Sequence, residues 1–149
     1  MTAAALTAPE GEYLLELRFP ARTDRMVMVR DLVRSAARFC GFDEASTHDI
    51  VLAVGEACQN VILHAYEGRG DGPILLDILQ NADSIILRVT DFGPAVAPTA
   101  VQPRELRDLR PGGLGTYFIQ NLMDTTDFGR SPSGVGNVLQ MSKKKDSSK

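Results

Sequence analysis

Glu56 and Asn60 lie four residues apart in a segment whose apolar residues recur with helical spacing. His64 follows at the same interval and Asp49 precedes them, so the four residues form a polar strip beside the apolar face of one helix. A carboxylate and a carboxamide one turn apart both offer oxygen atoms, which suits a hard cation. A solvated helix edge has the same composition, so the strip alone leaves both interpretations open.

A second candidate is Asp91, which ends an apolar stretch and is followed by Phe92 and Gly93. Gly93 permits a planar ligand to approach the backbone, and Asp91 can accept a hydrogen bond from an exocyclic amine such as that of adenine. An ordinary Asp-x-Gly turn is the alternative. The same three letters occur in eukaryotic protein kinases, but this chain is too short and lacks the other motifs of those enzymes.

The third candidate is a glycine-rich run that opens a predicted helix. Unhindered backbone N–H groups at a helix N-terminus favour an anion, which makes the run a phosphate cradle in principle. It is not a Walker loop because no Gly-Lys-Ser/Thr follows, and a flexible hinge is the alternative interpretation. The residues are Gly112, Gly113, Leu114, Gly115 and the following Thr116.

These candidates require a single domain that combines a sheet with helices, and 149 residues are enough for one. Strands are predicted at residues 12–19, 74–79, 84–90, 125–129 and 135–141. One helix, with apolar residues Val29, Leu32, Val33, Ala36 and Cys40, begins at Thr23 or Asp24 and is closed by Gly41, and others span residues 43–66 and 114–123. The order of these elements predicts a sheet with helices on one face. Residues 94–111 are proline-rich and predict a long loop.

Composition excludes several classes of function. The net charge of −3 gives no reason to expect direct contact with nucleic acid, and no apolar run is long enough to cross a membrane. Cys40 and Cys58 are expected to be buried free thiols in a reducing compartment, which favours the cytoplasm. Residues 1–11 and the basic residues 143–149 are predicted to be flexible termini around a domain spanning residues 12–142.

The motifs together resemble the ATPase superfamily shared by histidine kinases, gyrase B and Hsp90. Within it they are most similar to small bacterial anti-sigma factors that are also serine protein kinases. Residues 56–66 resemble the asparagine box of that family, residues 91–94 its adenine-contacting box and residues 112–124 its second glycine box. The resemblance runs from the first strand to Met141. It implies an α+β, two-layer sandwich of the Bergerat type with a mixed, mostly antiparallel sheet.

The resemblance also implies a role for each motif residue. Asn60 would coordinate Mg²⁺ on the phosphates of ATP, and Glu56 would orient or deprotonate the attacking serine hydroxyl. Asp91 would read adenine, with Gly93 allowing the base to lie close, and His64 is counted with the nucleotide-binding residues. The glycine-rich run would bind phosphate oxygens: Gly112, Gly113, Leu114, Gly115 and Thr116.

The loop of residues 94–111 would form a lid over the nucleotide, and its charge suggests that one of its arginines, Arg104, Arg107 or Arg110, contacts the γ-phosphate. Two positions depart from the family pattern. Ala95 stands where a second glycine is common, and Asn137 follows Gly136 where threonine is frequent. The amide of Asn137 offers a replacement for the hydrogen bond of that hydroxyl.

The predicted function is that of an ATP- and Mg²⁺-dependent serine protein kinase. It would phosphorylate a small anti-anti-sigma partner, alternately bind a sigma factor and form a homodimer through its first strand and helix. One alternative is an ATP-binding partner switch without kinase activity. Two others are a histidine-kinase catalytic domain without its dimerisation helices, and a structural domain with no affinity for ATP.

Overall fold

The structure, a computed structural model, describes Leu6 and residues 10–70, 72–94, 118–131 and 135–145. Within these ranges the chain is an α+β domain, as predicted. The strands are β1 (Glu12–Pro20), β2 (Pro73–Gln80), β3 (Ser84–Asp91), β4 (Thr125–Arg130) and β5 (Asn137–Lys144). The helices are α1 (Met26–Phe39), preceded by a 3₁₀ turn at Thr23–Arg25, and α2 (Glu44–Asn60), continued by a π-helical segment at Val61–Ala65. Residues 118–122 are also helical.

The five described strands form one sheet in the order β1-β2-β3-β5-β4. All of their pairings are antiparallel, where the sequence had indicated a mixed, mostly antiparallel sheet. β2 and β3 form a hairpin, in which Asn81 Oδ1 accepts hydrogen bonds from the backbone N–H groups of Asp83 and Ser84 at 2.9 and 2.8 Å. This Asx turn fixes the register that places Asp91 opposite Ile74.

Helices α1 and α2 cover one face of the sheet. Asp43 caps α2 by accepting a hydrogen bond from the backbone N–H of Ser46 at 2.8 Å, and Gly41 ends α1 with φ +95°. Leu32 is exposed, contrary to the predicted apolar stripe of α1. Both helices contribute to one core with alternate residues of the central strands, namely Val29, Val33, Ile50, Val54, Ala57, Ile74, Leu76, Ile78, Ile85, Leu87 and Val89.

The prediction that a flexible basic tail begins at residue 143 is wrong for its first two residues. Lys143 and Lys144 belong to β5, and the Lys143 ammonium donates to the carbonyl of Leu122 at 2.7 Å. The same ammonium lies 3.7 Å from the carboxylate of Asp49 on α2. The charge of Lys143 therefore has partners inside the fold. As a result, β5 extends past the position where its apolar residues end.

The two cysteines are free thiols, as expected. Cys58 is fully buried in α2, and burial raises the pKa of its thiol to about 12. Cys40 is half-buried at the end of α1, and burial raises the pKa of its thiol as well. A protonated thiol is a poor nucleophile, and burial disfavours the reactive thiolate form of both cysteines.

A row of polar residues crosses the sheet on the face opposite the helices. Glu16 pairs with Asp77, Asp77 with Arg88, and Arg88 with Gln140 in successive strands. Arg88 donates from Nε to Gln140 Oε1 at 3.1 Å. Burial raises the pKa of Asp77 above its usual value, the Glu16 carboxylate raises it further, and Arg88 opposes both effects. The charged form of Asp77 is therefore disfavoured in the folded protein.

We expect Asp77→Asn to stabilise the protein at neutral pH. The folded state holds the Asp77 proton more tightly than the unfolded chain does, so its contribution to the free energy of unfolding is largest below about pH 4. That contribution is lost as the pH rises through the raised folded pKa. Thermal unfolding at pH 7 should show an increase of about 1–4 °C, or roughly 0.5–1 kcal/mol, and this difference should shrink toward pH 4. A lower melting temperature for the variant at pH 7 would contradict the prediction.

Candidate functional site

Asp91 is a buried carboxylate at the C-terminal end of β3. Its Oδ1 accepts a hydrogen bond from the backbone N–H of Gly93 at 2.9 Å and another from Asn137 Nδ2 at 3.0 Å. Among the described residues both donors bond the same oxygen, which leaves Oδ2 for a ligand. Burial raises the pKa of Asp91, while Asn137, Gly93 and the charge of Arg130 lower it in part. The site therefore offers a desolvated hydrogen-bond acceptor.

The end of β3 lies directly against the end of the long helix. A Cβ atom on Gly93 would lie 2.8 Å from the carbonyl oxygen of Ala65, so only glycine fits this approach. The Tyr66 hydroxyl accepts from the backbone N–H of Phe92 at 2.7 Å and donates to the carbonyl of Pro73 at 2.8 Å. Tyr66 therefore connects the end of the helix to β2 and to the residue that follows β3. This contact brings the predicted asparagine box, residues 56–66, next to the predicted adenine-contacting box, residues 91–94.

Glu56 and Asn60 lie one turn apart in α2, and both are half-buried. Within the part of the chain that the structure describes, neither side chain forms a hydrogen bond or an ion pair. Both side chains are partly open to solvent, so a carboxylate and a carboxamide one turn apart remain available to a ligand. Their oxygens suit the predicted cation and hydroxyl ligands.

His64 is exposed and lies in the π-helical segment that follows Asn60. In this segment the Tyr66 N–H donates to the carbonyl of Val61, five residues earlier, at 3.2 Å. The four-residue spacing that grouped His64 with Glu56 and Asn60 belongs to α-helical geometry and does not extend through a π turn. Nucleotide binding by His64 therefore stays a prediction, without the support of that spacing.

The glycine-rich run and the predicted lid lie outside the described residues. These comprise Gly112, Gly113, Leu114, Gly115 and Thr116, together with Ala95, Arg104, Arg107 and Arg110. Their proposed roles stay predictions. The helical segment of residues 118–122 contributes Ile119 to the core.

Asn137 donates a hydrogen bond to Asp91, a partner that the sequence did not identify, and the sequence analysis also did not single out Arg130. Arg130 Nη1 donates to Asn137 Oδ1 at 3.0 Å, from the facing position of the β4–β5 hairpin. Gly136 has φ +96°, and a Cβ atom there would lie 2.8 Å from the carbonyl oxygen of Asp91. Counting outward from the hairpin turn would have paired Arg130 with Asn137.

Comparison with known proteins now adds to this geometry. The family model of the histidine kinase-like ATPase domain matches residues 19–143. The chain belongs to this family. Serine-protein kinase RsbW of Halalkalibacterium halodurans is 33% identical over 137 residues, which cover 87% of this chain and 82% of the relative. The Bacillus pumilus protein of the same name is 30% identical over 132 residues, which cover 82% and 81%.

Two solved structures share the fold of this family member. The RsbU and RsbW domains of a Mycobacterium tuberculosis protein match with a TM-score of 0.61 and 17% identity over 87% of this chain and 31% of that longer chain. The SiaB–SiaC complex of Pseudomonas aeruginosa matches with a TM-score of 0.61 and 13% identity over 91% of this chain and 90% of the other. The predicted two-layer architecture is confirmed. In the described ranges, no helix has the length and hydropathy needed to cross a membrane.

We expect Asp91→Asn to separate stability from nucleotide binding. The amide oxygen can still accept both existing hydrogen bonds, but an NH₂ group replaces Oδ2 and cannot accept from an adenine amine. Loss of a hydrogen bond to a charged group should weaken ATP binding by about 10- to 100-fold. Removal of a desolvated charge should leave the melting temperature at pH 7 unchanged or higher, because the raised pKa of Asp91 makes its ionised form unfavourable there.

The measurement is thermal unfolding with and without Mg-ATP, because ligand binding to the native state raises stability. Asp77→Asn is the matched control: it also removes a carboxylate of raised pKa, but from the opposite face of the sheet. That control should keep the full response to ATP. An equal response in Asp91→Asn would exclude Asp91 from the nucleotide site.

Proposed function

We propose that this chain is an ATP-dependent serine protein kinase that acts as an anti-sigma factor in a partner-switching pathway. It phosphorylates a serine of a small anti-anti-sigma protein and alternately binds a sigma factor. The observation that carries the proposal is the pair Glu56 and Asn60, two half-buried polar side chains without partners among the described residues, on the helix whose end contacts the Asp91 loop. The names of the relatives, serine-protein kinases, support the same activity.

Adenine recognition is proposed for the end of β3. Asp91 Oδ2 accepts from the exocyclic amine of the base, and Gly93 lets the loop that carries it pack directly on Ala65 of the helix end. The burial of Asp91 supports this role, since a hydrogen bond to a carboxylate gains strength where water is excluded. The N–H groups of the run from Gly112 to Thr116 hold phosphate oxygens in this proposal.

Asn60 is the proposed protein ligand of Mg²⁺. A nucleotide-bound Mg²⁺ takes most of its ligands from phosphate and water and needs few from the protein, so a single carboxamide oxygen with no partner in the described chain fits it. When bound, the ion would neutralise charge on the transferring phosphate.

Glu56 is the proposed base for the substrate serine. Its carboxylate accepts the hydrogen bond of the serine hydroxyl and takes the proton as the serine oxygen bonds to the γ-phosphorus, while the bond from that phosphorus to the bridging oxygen breaks and ADP leaves. Its position one turn before Asn60 supports this role, because side chains four residues apart are neighbours on a helix. The alternative function, an ATP-binding switch without phosphate transfer, does not need this carboxylate.

The proposed assembly is a homodimer in the cytoplasm. Its proposed interface is β1, an edge strand of the described sheet, with the neighbouring helix α1. Helix α1 exposes Val27, Met28 and Phe39, which is unusual for a surface that faces only water. The structural neighbour SiaB is found in a complex with SiaC, which supports the idea that this fold binds a protein partner.

We expect Glu56→Gln to abolish phosphate transfer and to retain ATP. The amide keeps the size of the side chain but cannot take a proton, and general-base catalysis contributes about 10²- to 10⁴-fold to rates. Transfer from radiolabelled Mg-ATP to a folded, bound anti-anti-sigma protein should fall at least about 100-fold, while ATP affinity changes by less than about threefold. Glu44→Gln, at the exposed start of the same helix, is the control.

Two outcomes of this experiment decide between the alternatives. If the wild-type protein transfers no phosphate to a bound partner, the kinase proposal fails. If Glu56→Gln still exchanges one partner for the other at the normal rate on addition of ATP, switching does not depend on catalysis and the alternative holds.

We expect Phe39→Asp to convert the dimer to a monomer. The side chain is 73% exposed in the isolated chain, so a charge there should cost little folding stability but disfavour an apolar interface. Sedimentation velocity at tens of micromolar protein measures the mass. Val135→Asp, which alters an exposed apolar residue near the β4–β5 turn, is the control and should remain dimeric. A monomeric wild-type protein, or a dimeric Phe39→Asp, would contradict this interface.

A further inference from the structure

The buried side chain of Asn137 joins three parts of the site. It is 1% exposed, and its Nδ2 lies 3.0 Å from Asp91 Oδ1 and 2.9 Å from the carbonyl oxygen of Pro94. A longer contact of 3.4 Å reaches the carbonyl oxygen of Gly93. Both protons of the amide are therefore used, one by the carboxylate and one by the backbone that follows it.

Arg130 determines which way the amide of Asn137 faces. A guanidinium only donates hydrogen bonds, so it can pair with Oδ1 but not with Nδ2 of that amide. The 3.0 Å bond from Arg130 Nη1 to Oδ1 directs Nδ2 toward Asp91 and Pro94. In the reverse orientation the amide oxygen would face a carboxylate and two carbonyl oxygens, with no donor between them.

The orientation of the amide in turn determines the orientation of Asp91. With Oδ1 bonded to Asn137 and to the Gly93 N–H, rotation of the carboxylate would break both bonds. The oxygen that reaches a ligand is then always Oδ2. The contact to Pro94 fixes the backbone immediately after the carboxylate, so the acceptor and its surrounding loop are held by the same group.

We propose that Arg130 and Asn137 are positioning residues that orient Asp91 Oδ2 toward the exocyclic amine of a purine base and thereby set the preference for an amino-substituted purine. The proposal rests on the nucleotide-binding function proposed above. Neither residue touches the base: Arg130 acts through Asn137, and Asn137 acts through Asp91.

The first test compares the binding of Mg-ATP with that of the magnesium complex of purine riboside triphosphate, which lacks the exocyclic amine. Asn137→Asp keeps the size of the side chain and the bond from Arg130, but replaces the donor to Asp91 with a second carboxylate. ATP affinity should fall about 10- to 100-fold, whereas the affinity for the amine-free nucleotide should change by less than about threefold. Asn137→Thr, which retains one hydroxyl donor, should recover most of the preference. An equal loss for both nucleotides, or no loss, would overturn the proposal.

The second test examines the route from Arg130. Arg130→Met removes the donor and should reduce the preference for ATP by about three- to tenfold, and Arg130→Lys should restore part of it. The double variant Arg130→Met with Asn137→Thr should lose less of the preference for ATP than the two single variants lose together, when each loss is expressed as a binding free energy. The reason is that Arg130 acts through Asn137. Additive losses would show that Arg130 acts independently of Asn137.

A third measurement needs no nucleotide. Titration of the Asp91 carboxyl by carbon-13 NMR should show a higher pKa in Asn137→Thr than in the wild type and a still higher one in Asn137→Asp, because donors favour the carboxylate and a second negative charge opposes it. Asn81→Ala is the matched control: it removes a structural asparagine from the opposite end of the sheet and should lower stability without changing the Asp91 pKa or the nucleotide preference.

The two proposals fail in different ways. A wild-type protein that binds no ATP would overturn the proposed function, and the NMR titration would still decide whether Asn137 holds Asp91. A titration curve for Asp91 that is the same in all of these variants would overturn the positioning role, even in a protein that binds ATP normally.

Discussion

The hydrogen bond between Asn137 and Asp91 joins two neighbouring central strands, β3 and β5, at the end where the candidate site lies. A carboxylate at this position is costly because burial disfavours its charge, and donors from Asn137 and Gly93 offset only part of that cost. The surrounding structure serves to keep those donors in place. Gly136 allows the backbone of β5 to approach Asp91, and Tyr66 holds the next residue, Phe92. Burial of Asp91 therefore carries a cost in stability, and it leaves Oδ2 without a hydrogen-bond partner among the described residues.

The helix layer contributes the other half of the site through a single junction. Tyr66 bonds Pro73 and Phe92, and Gly93 packs on Ala65, so the end of the helix and the ends of β2 and β3 form one unit. Asn60 precedes this junction by little more than one turn. A nucleotide with its base at the end of β3 and its phosphates near Asn60 would therefore bind across this junction.

Local signals predicted most of the fold. Alternation of apolar and polar residues indicates the start of β1 at Glu12, and turn residues indicate the start of β3 at Ser84. Asp43 is a residue type that caps helices, and it caps α2. Each of these signals lies within a few neighbouring residues. The extension of β5 to Lys144 was not predictable, because the partners of Lys143 come from α2 and from the helix of residues 118–122.

The candidate site was predictable in its residue types and only partly in its geometry. The boxes of the family identify Glu56, Asn60 and Asp91 without any coordinates, because each is part of a motif. The role of Arg130 depends on the register of a hairpin, which places it opposite Asn137. The π turn after Asn60 depends on a tyrosine held by two other strands, and no local residue pattern specifies it.

This π turn has a consequence for how the helix can change over evolutionary time. Each residue of an α-helix rotates the following side chain by about 100°, so removing one residue between Asn60 and Tyr66 would turn the tyrosine away from Phe92. The wider turn sets the spacing between the helix face that carries Glu56 and Asn60 and the tyrosine that bonds to the sheet. Insertions and deletions should therefore be rejected within these few residues.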